Sequence, residues 1–169
     1  MKKVGLLFIF SFLLITFNSF AQSEWRLVDE TTLKGNIRGS VSQGYIFKVS
    51  SREYYIINEK VNERVQLRNP EVKIFQNASE FKLFVDGFQR PILCRKVSNV
   101  IESQIEGDFN GWDGETIYKL SNGQTWQQSS FAFLRQNLTS PNVYIYTYNG
   151  KYKMTVEGIG ETIDVKVLK

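Results

Sequence analysis

The feature that most constrains this chain is an internal repeat. When the sequence is aligned with itself at an offset of 71 residues, positions 46–97 match positions 117–168 without a gap. Twelve of these 52 pairs are identical, whereas unrelated sequences of ordinary composition would share about three. Upstream of position 46 the offset becomes 72, so the second copy has one extra residue in its first turn. The repeat predicts two tandem copies of one small domain.

Each copy has the pattern of an all-β domain. Asn122-Gly123 and Asn149-Gly150 predict two-residue hairpin turns, because Asn-Gly accepts positive φ at both positions. Gly107 and Gly111 predict a bulge or bend in the first strand of the second copy. The segment 129–140 remains open between a short helix and an irregular connection. Runs rich in β-branched and aromatic residues predict strands over 104–111, 116–121, 124–128, 143–148, 151–157 and 162–168.

The N-terminal sequence and the repeat together predict the domain layout. Lys2 and Lys3 precede an apolar run, and Ser19-Phe20-Ala21 supplies the small residues of a signal-peptidase site. We therefore expect export, with cleavage near Ala21, to the periplasm or the medium, and no membrane span after cleavage. The predicted layout is a signal peptide over 1–21, a first, degenerate β-barrel repeat over 22–97, a linker over 98–104 and a second β-barrel repeat over 105–169.

Composition disfavours catalysis. The chain has no histidine, which excludes histidine bases, Ser-His-Asp triads and histidine metal sites. Its one cysteine, Cys94, cannot form an intramolecular disulfide, and it matches Val165, which predicts a buried thiol. Loss of Lys2 and Lys3 with the signal leaves 19 of the 21 basic residues against 17 acidic ones, too close a balance to indicate nucleic acid. We expect a protein that is not an enzyme and has no cofactor or metal.

The repeat separates the two faces of the strand predicted over 143–148. Val143 and Ile145 match Val72 and Ile74 and therefore face the core. The opposite face carries three tyrosines, which pack either against the other domain or the 129–140 segment, or form an aromatic platform for a sugar ring, a peptide or a partner. A tryptophan at a turn tip would extend that platform. The candidate ligand-binding residues are thus Trp112, Tyr144, Tyr146 and Tyr148.

The same comparison assigns two further aromatic positions. Tyr152 matches Phe81 and is predicted to face the core together with Met154. Trp126 matches Tyr55, which predicts a packing residue shared by both copies.

The second copy also resembles a known type of domain. In order along the chain it carries Gly107, Phe109, Gly111-Trp112-Asp113-Gly114, Asn122-Gly123-Gln124, Trp126-Gln127-Gln128, Pro141, Tyr152, Met154 and Gly158. This pattern, GxFxGWDGxTxYxLxNGQxW in its first part, resembles a small bacterial β-domain family, and the resemblance implies a domain over about 104–168 but no activity. More loosely, each copy is similar to SH3-like barrels, which bind peptides, glycans, wall polymers or nucleic acid.

Three functions follow as hypotheses. The first is a secreted or periplasmic, non-catalytic binding protein of the cell envelope, whose partner is an envelope protein or a wall polymer. The second is an inhibitor or immunity-type protein that blocks an envelope enzyme, with the Trp112 turn as the inserted element. The third is a hydrolase that uses Asp108, Asp113 or Glu115. Paired catalytic carboxyl groups need a cleft around the substrate, and a single small barrel seldom provides one, which disfavours this hypothesis.

Overall fold

The protein is all-β. The structure, a computed structural model, describes residues 24–169, and the signal sequence predicted over 1–21 lies outside them. Within the described residues the chain forms strands and no helix, which confirms the all-β part of the predicted fold class. The strands are β1 (Arg26–Thr32), β2 (Asn36–Ser42), β3 (Ile46–Lys48), β4 (Tyr54–Ile57), β5 (Asn62–Arg68), β6 (Glu71–Asn77), β7 (Glu80–Val85), β8 (Ile92–Val97), β9 (Ile101–Gln104), β10 (Asp108–Trp112), β11 (Ile117–Lys119), β12 (Thr125–Gln128), β13 (Leu134–Thr139), β14 (Asn142–Tyr148), β15 (Lys151–Val156) and β16 (Thr162–Val167).

The strands form two sets of sheets with the same order. The first set is a six-stranded sheet, β1-β6-β7-β8-β4-β3, and a two-stranded sheet, β2-β5. The second set is β9-β14-β15-β16-β12-β11 with β10-β13. Each strand of the first set thus has a counterpart in the second, and strands pair only within a set. We call β1–β8 the first unit and β9–β16 the second unit.

Each unit surrounds its own apolar core. Val143 and Ile145 are fully buried in the second core, as the strand parity predicted. Trp126 is buried there too and packs edge-on against Tyr152 at 5.1 Å between ring centroids. The core position predicted for Tyr152 is wrong, because 45% of this residue is exposed. The buried Trp126 indole occupies the core next to this position, and the Tyr152 ring packs against the indole from the surface.

Two segments differ from the sequence-based prediction. Residues 101–104, assigned to a linker, form β9, which pairs with β14 from Ile101↔Ile145 to Gln104↔Asn142. The hydrogen bonds of an additional edge strand outweigh the weak local β-propensity of this short segment. For 129–140 the alternatives were a short helix or an irregular connection, and both are wrong for residues 134–139, which form β13 opposite β10. Cys94 is buried as predicted, and burial raises the pKa of its thiol well above the ordinary value.

The two Asn-Gly turns differ from each other. Asn149 and Gly150 both have positive φ, 50° and 76°, which confirms the predicted two-residue hairpin. At the other turn Gly123 has φ of 83°, but Asn122 is not in the left-handed region. There the Gly123 N–H donates to the Leu120 carbonyl at 2.9 Å, so the loop is one residue longer and only its last residue is left-handed.

The first unit repeats this longer turn with an arginine in place of glycine. Arg52, the counterpart of Gly123, has φ of 64° and donates its N–H to the Val49 carbonyl at 3.0 Å. A side chain raises the energy of the left-handed conformation by about 1–2 kcal/mol. The turn geometry is therefore kept in the first unit against the local preference of its residue.

The two units pack directly against each other. Ile46, Tyr54 and Ile56 of the first unit form a third buried cluster with Tyr146 and Tyr148 of the second. This confirms the alternative in which the tyrosine row packs against the other domain. The Tyr146 hydroxyl donates to the Gly44 carbonyl across the interface at 2.7 Å and lies 3.0 Å from the Thr155 hydroxyl.

Backbone bonds and ions extend this contact. The N–H groups of Gly158 and Gly160 donate to the carbonyls of Asn36 and Arg38 on the free edge of β2, at 2.9 and 2.6 Å. A Cβ on Gly160 would lie 2.9 Å from the Gly39 carbonyl carbon, so only glycine permits this approach. At the periphery of the interface, Lys48 and the Tyr54 hydroxyl both bind the Glu102 carboxylate.

Replacement of Arg52 by glycine should stabilise the protein. We expect Arg52→Gly to raise the free energy of unfolding by about 0.5–1 kcal/mol, because release of the left-handed strain exceeds the entropy that glycine adds to the unfolded chain. Urea unfolding measures the change. Gly123→Arg is the matched control and should lower stability, and a loss of stability in Arg52→Gly would contradict the account.

Removal of the Tyr146 hydroxyl should weaken the interface. Tyr146→Phe leaves the buried Gly44 carbonyl without its partner, so we expect a loss of about 1–3 kcal/mol in urea unfolding. Tyr152→Phe is the control, since that residue is close to half exposed and its change should stay within about 0.5 kcal/mol. Equal effects of the two variants would show that the Tyr146 bond contributes nothing.

Candidate functional site

Three of the four predicted ligand-binding residues are buried. Tyr146 and Tyr148 lie inside the contact between the units, with 1% and 6% exposed. Tyr144 is partly buried beside Tyr54, with 6.1 Å between ring centroids, and the Lys48 ammonium lies over its ring at 5.8 Å. Burial raises the pKa of Tyr144 to about 12. The tyrosine row therefore does not form an exposed aromatic platform.

Trp112 lies in the second core rather than at a turn tip. It is 2% exposed and packs against Phe109 at 5.9 Å. In a regular strand residues three apart face opposite sides, but the register shift between Phe109 and Gly111 turns both rings inward. The Trp112 Nε1 atom is buried and has no hydrogen-bond partner among residues 24–169. Trp112 thus forms part of the floor of a surface groove and is not itself an exposed binding residue.

Above this floor lies a groove between β10 and β11. It has a volume of about 760 Å³. Among residues 24–169, strand β10 pairs only with β13 and strand β11 only with β12, so each has one edge without a strand partner. On the open edge of β11 the Lys119 carbonyl accepts from the Glu106 N–H at 2.8 Å. We call this the β10–β11 groove, and its lining includes Glu106, Asp108, Trp112, Tyr118, Phe133 and Leu134.

Exposed apolar side chains surround the groove. Ile117 and Phe133 line it and are 55% and 60% exposed, and Phe131 is 92% exposed beside the turn at Gly114. The Arg135 guanidinium lies over the Phe133 ring at 5.3 Å, which leaves the ring edge free. We call Ile117, Phe131 and Phe133 the apolar rim. Exposed aromatic residues next to a groove are typical of a protein-binding surface.

A buried glutamine holds the rim in position. Gln128 is 2% exposed. Its Oε1 accepts from the Gly114 N–H at 2.8 Å and from the Asp113 N–H at 3.2 Å. Its Nε2 donates to the carbonyls of Ser130 and Ala132 at 2.9 and 3.0 Å. One side chain therefore joins the 113–116 turn to the segment that carries Phe131 and Phe133.

Asp113 acts as a turn residue. Its carboxylate accepts from the Thr116 hydroxyl at 2.6 Å, and this bond, with one from the Glu115 N–H, lowers the pKa of Asp113. A general acid needs the opposite shift. Asp108, the second acid of the hydrolase hypothesis, accepts from the Thr139 hydroxyl at 3.2 Å.

The sequence reasoning missed the apolar rim and Gln128, yet the repeat contains the signal that could have found them. Phe131 and Phe133 match Lys60 and Asn62 of the first copy, and Gln128 matches the fully buried Ile57. A fold that accepts lysine and asparagine at two positions does not need phenylalanine there. Aromatic residues at such positions therefore indicate a surface role that is specific to the second unit.

The comparisons with known proteins give no relative from which a function could be transferred. No protein-family model, no curated protein and no solved structure matches the chain. Within residues 24–169, no three acidic or cysteine side chains come together in an arrangement that could hold a metal ion. The same residues contain no helix of the length and apolarity needed to cross a membrane.

The apolar rim should be dispensable for folding. We expect Phe131→Lys combined with Phe133→Asn, the residues of the first unit, to change the free energy of unfolding by less than about 0.5 kcal/mol, because both rings are exposed. Trp112→Ala should cost about 3–5 kcal/mol, because it leaves a cavity in the second core. Urea unfolding of both variants measures these changes. A large loss of stability in the rim variant would show that the rim has a structural role.

Proposed function

We propose that the protein is an exported, non-catalytic binding protein of the cell envelope, which holds a protein partner in the β10–β11 groove. The observation that carries this proposal is the apolar rim of Ile117, Phe131 and Phe133 beside two unpaired strand edges. The signal-peptide pattern of residues 1–21 supports export. The two units are, on this proposal, two copies of one SH3-like barrel.

Backbone geometry supports the repeat beyond the sequence identities. Positive φ recurs at matched non-glycine positions, with 44° at Asn69 and 46° at Ser140, and with 52° at Ala78 and 50° at Asn149. Positions that share an uncommon backbone conformation share a turn type as well. Together with the common strand order, this supports descent of both units from one domain.

A polypeptide segment fits the groove better than a wall polymer. An unpaired strand edge offers alternating N–H and C=O groups that an extended peptide can satisfy. The first unit gives an example within this protein, because the free edge of β2 accepts backbone N–H groups from Gly158 and Gly160. A glycan chain joins its rings through ether oxygens and has no backbone of alternating N–H and C=O groups with which to pair in this way.

The energies suit a moderate affinity. Full burial of the Phe131 and Phe133 rings would contribute about 1.5–3 kcal/mol each, and a new backbone hydrogen bond about 1 kcal/mol. Loss of translational freedom and ordering of the rim oppose these gains. The gains exceed these costs only if both rings and several hydrogen bonds contribute together, so we expect an affinity well below that of a nanomolar complex.

A non-catalytic role fits the chemistry of the described residues. The chain has no histidine, and the Asp113 carboxylate is kept ionised by its turn. The groove is lined by Glu106, Asp108 and Lys119 as well as by apolar groups, which suits orientation of a partner.

Inhibition of an envelope enzyme is the second candidate. Phe131, 92% exposed next to a tight turn, takes the place that the sequence analysis gave to Trp112 as an inserted side chain. A stoichiometric partner with nanomolar affinity would favour this candidate over the first.

Retention by the immobilised protein tests the proposal. Solubilised envelope proteins and, separately, purified wall polymer are passed over the native protein and over the variant with Phe131→Lys and Phe133→Asn. We expect the native protein to retain an envelope protein and the rim variant to retain at least about tenfold less, because each lost ring removes about 1 kcal/mol or more.

The matched control replaces exposed apolar residues elsewhere in the second unit. Val167 and Leu168 are 51% and 49% exposed, so Val167→Asn with Leu168→Lys makes the same change in character away from the groove. It should retain the partner at the native level. Retention of wall polymer alone, or equal retention by all three proteins, would contradict the proposal.

A further inference from the structure

The contact between the two units joins unlike surfaces. The first unit contributes its β3–β4 face, with Ile46 and Lys48, and the free edge of β2. The second unit contributes its β14 face, with Tyr146 and Tyr148, and the segment that holds Gly158 and Gly160. Because the units have the same strand order, each carries both types of surface. One surface of each type therefore remains uncovered in a single chain.

The uncovered surface of the second unit is the one described above. Ile117 is the counterpart of Ile46, and the two residues are identical but 55% and 3% exposed. Strand β10 is the counterpart of β2, and its free edge lines the β10–β11 groove. The groove is thus the position at which a further unit would pack if the arrangement within the chain were repeated.

The uncovered surface of the first unit lies on β6 and β7. Phe75 is the counterpart of Tyr146 and packs against Phe84, which is 43% exposed, with 5.0 Å between ring centroids. A groove of about 660 Å³ runs beside them and is lined by Glu30, Lys73 and the turn that contains Gly87. This face corresponds in position to the one that the second unit places on the first. Lys73, Phe75 and Asn77 stand where the second unit has Tyr144, Tyr146 and Tyr148, so the central aromatic ring is kept and the tyrosine hydroxyls are not.

Charge complementarity connects the two uncovered surfaces. Within the chain, Lys48 binds Glu102 across the interface. The counterpart of Lys48 is Lys119, which is exposed on β11. The counterpart of Glu102 is Glu30, because Glu30 pairs with Lys73 on β6 as Glu102 pairs with Tyr144 on β14. Within the single chain Glu30 forms an exposed ion pair with Lys73 at 3.5 Å. The repeated contact would bring Lys119 to this pair, where it would share the Glu30 carboxylate with Lys73.

We infer that the β10–β11 groove of one molecule binds the β6–β7 face of a second copy of this chain, so that the protein associates head to tail. This inference rests on the proposed function of the groove and names its partner. A head-to-tail contact between unlike surfaces leaves one surface of each type free on a dimer, so association continues into a closed ring or an open chain, depending on the rotation between copies.

The contact between copies is weaker than the contact within the chain. Gln89 stands at the position of Gly160, and its N–H already donates to the Glu63 carboxylate at 2.7 Å. A side chain at this position keeps the turn further from the strand edge than Gly160 allows. The two units of one chain also meet at the high effective concentration of a short connection. Association between copies is accordingly dependent on protein concentration.

Charge reversal tests the contact in the purified protein without its predicted signal peptide, residues 22–169. Sedimentation velocity over a range of concentrations should show species heavier than a monomer for the native protein. Glu30→Lys alone and Lys119→Glu alone should each weaken association by about tenfold or more, because each places like charges together. The double variant Glu30→Lys, Lys119→Glu restores an opposite pair in reverse and should regain most of the association.

The outcomes separate this inference from the proposed function. Lys166→Glu, a charge reversal at an exposed position of β16, is the control and should associate as the native protein does. A native protein that stays monomeric at all concentrations would overturn the inference, and so would a double variant no better than the single ones. If the groove then still retains another envelope protein, the proposed function stands and only its partner is different.

Discussion

The contact of Tyr146 with the first unit is the interaction on which the arrangement of the molecule depends. Its ring fills the space between two sheets, and its hydroxyl satisfies the buried Gly44 carbonyl while it also meets Thr155. Burial raises the pKa of this phenol, so the neutral form that makes both contacts is kept in the folded protein. Because this contact fixes the second unit on the first, it covers one edge strand, β2, and leaves its counterpart β10 uncovered.

The repeat predicted which face of a strand points into the core, but it did not predict what the opposite face contacts. Val143 and Ile145 are buried where the identities placed them. The tyrosines of β14 stand on the opposite face as predicted, yet parity does not tell whether that face meets water or another part of the protein. The bulge predicted at Gly111 is present, but its effect on Trp112 was not predicted, because which side chain a bulge turns inward depends on the register with the facing strand.

The candidate site arises where the two units have diverged. Gln128 occupies the position that Ile57 has in the first unit, and the strand order of the two units is the same. Phe131 and Phe133 of the apolar rim occupy the positions of Lys60 and Asn62. Propensity could not place the segment before β13, because its conformation depends on the hydrogen bonds that the buried Gln128 side chain donates to the Ser130 and Ala132 carbonyls. The all-β class needed no such information, since most of the strands have a local β pattern of their own.

Gln128 has a consequence for motion in the second unit. There the Gly114 N–H and the carbonyls of Ser130 and Ala132 all bond to one side chain, whereas the Thr116 carbonyl accepts from the backbone N–H of Gln128 at 2.8 Å. Rotation of this side chain would release the first three groups while both sheets stay intact. The Gly114 amide should therefore exchange its hydrogen with solvent through local opening, with a protection factor well below that of amides on β14 and β15. Phe131 and Phe133 would shift with this opening, so the shape of the rim can adjust without the barrel unfolding.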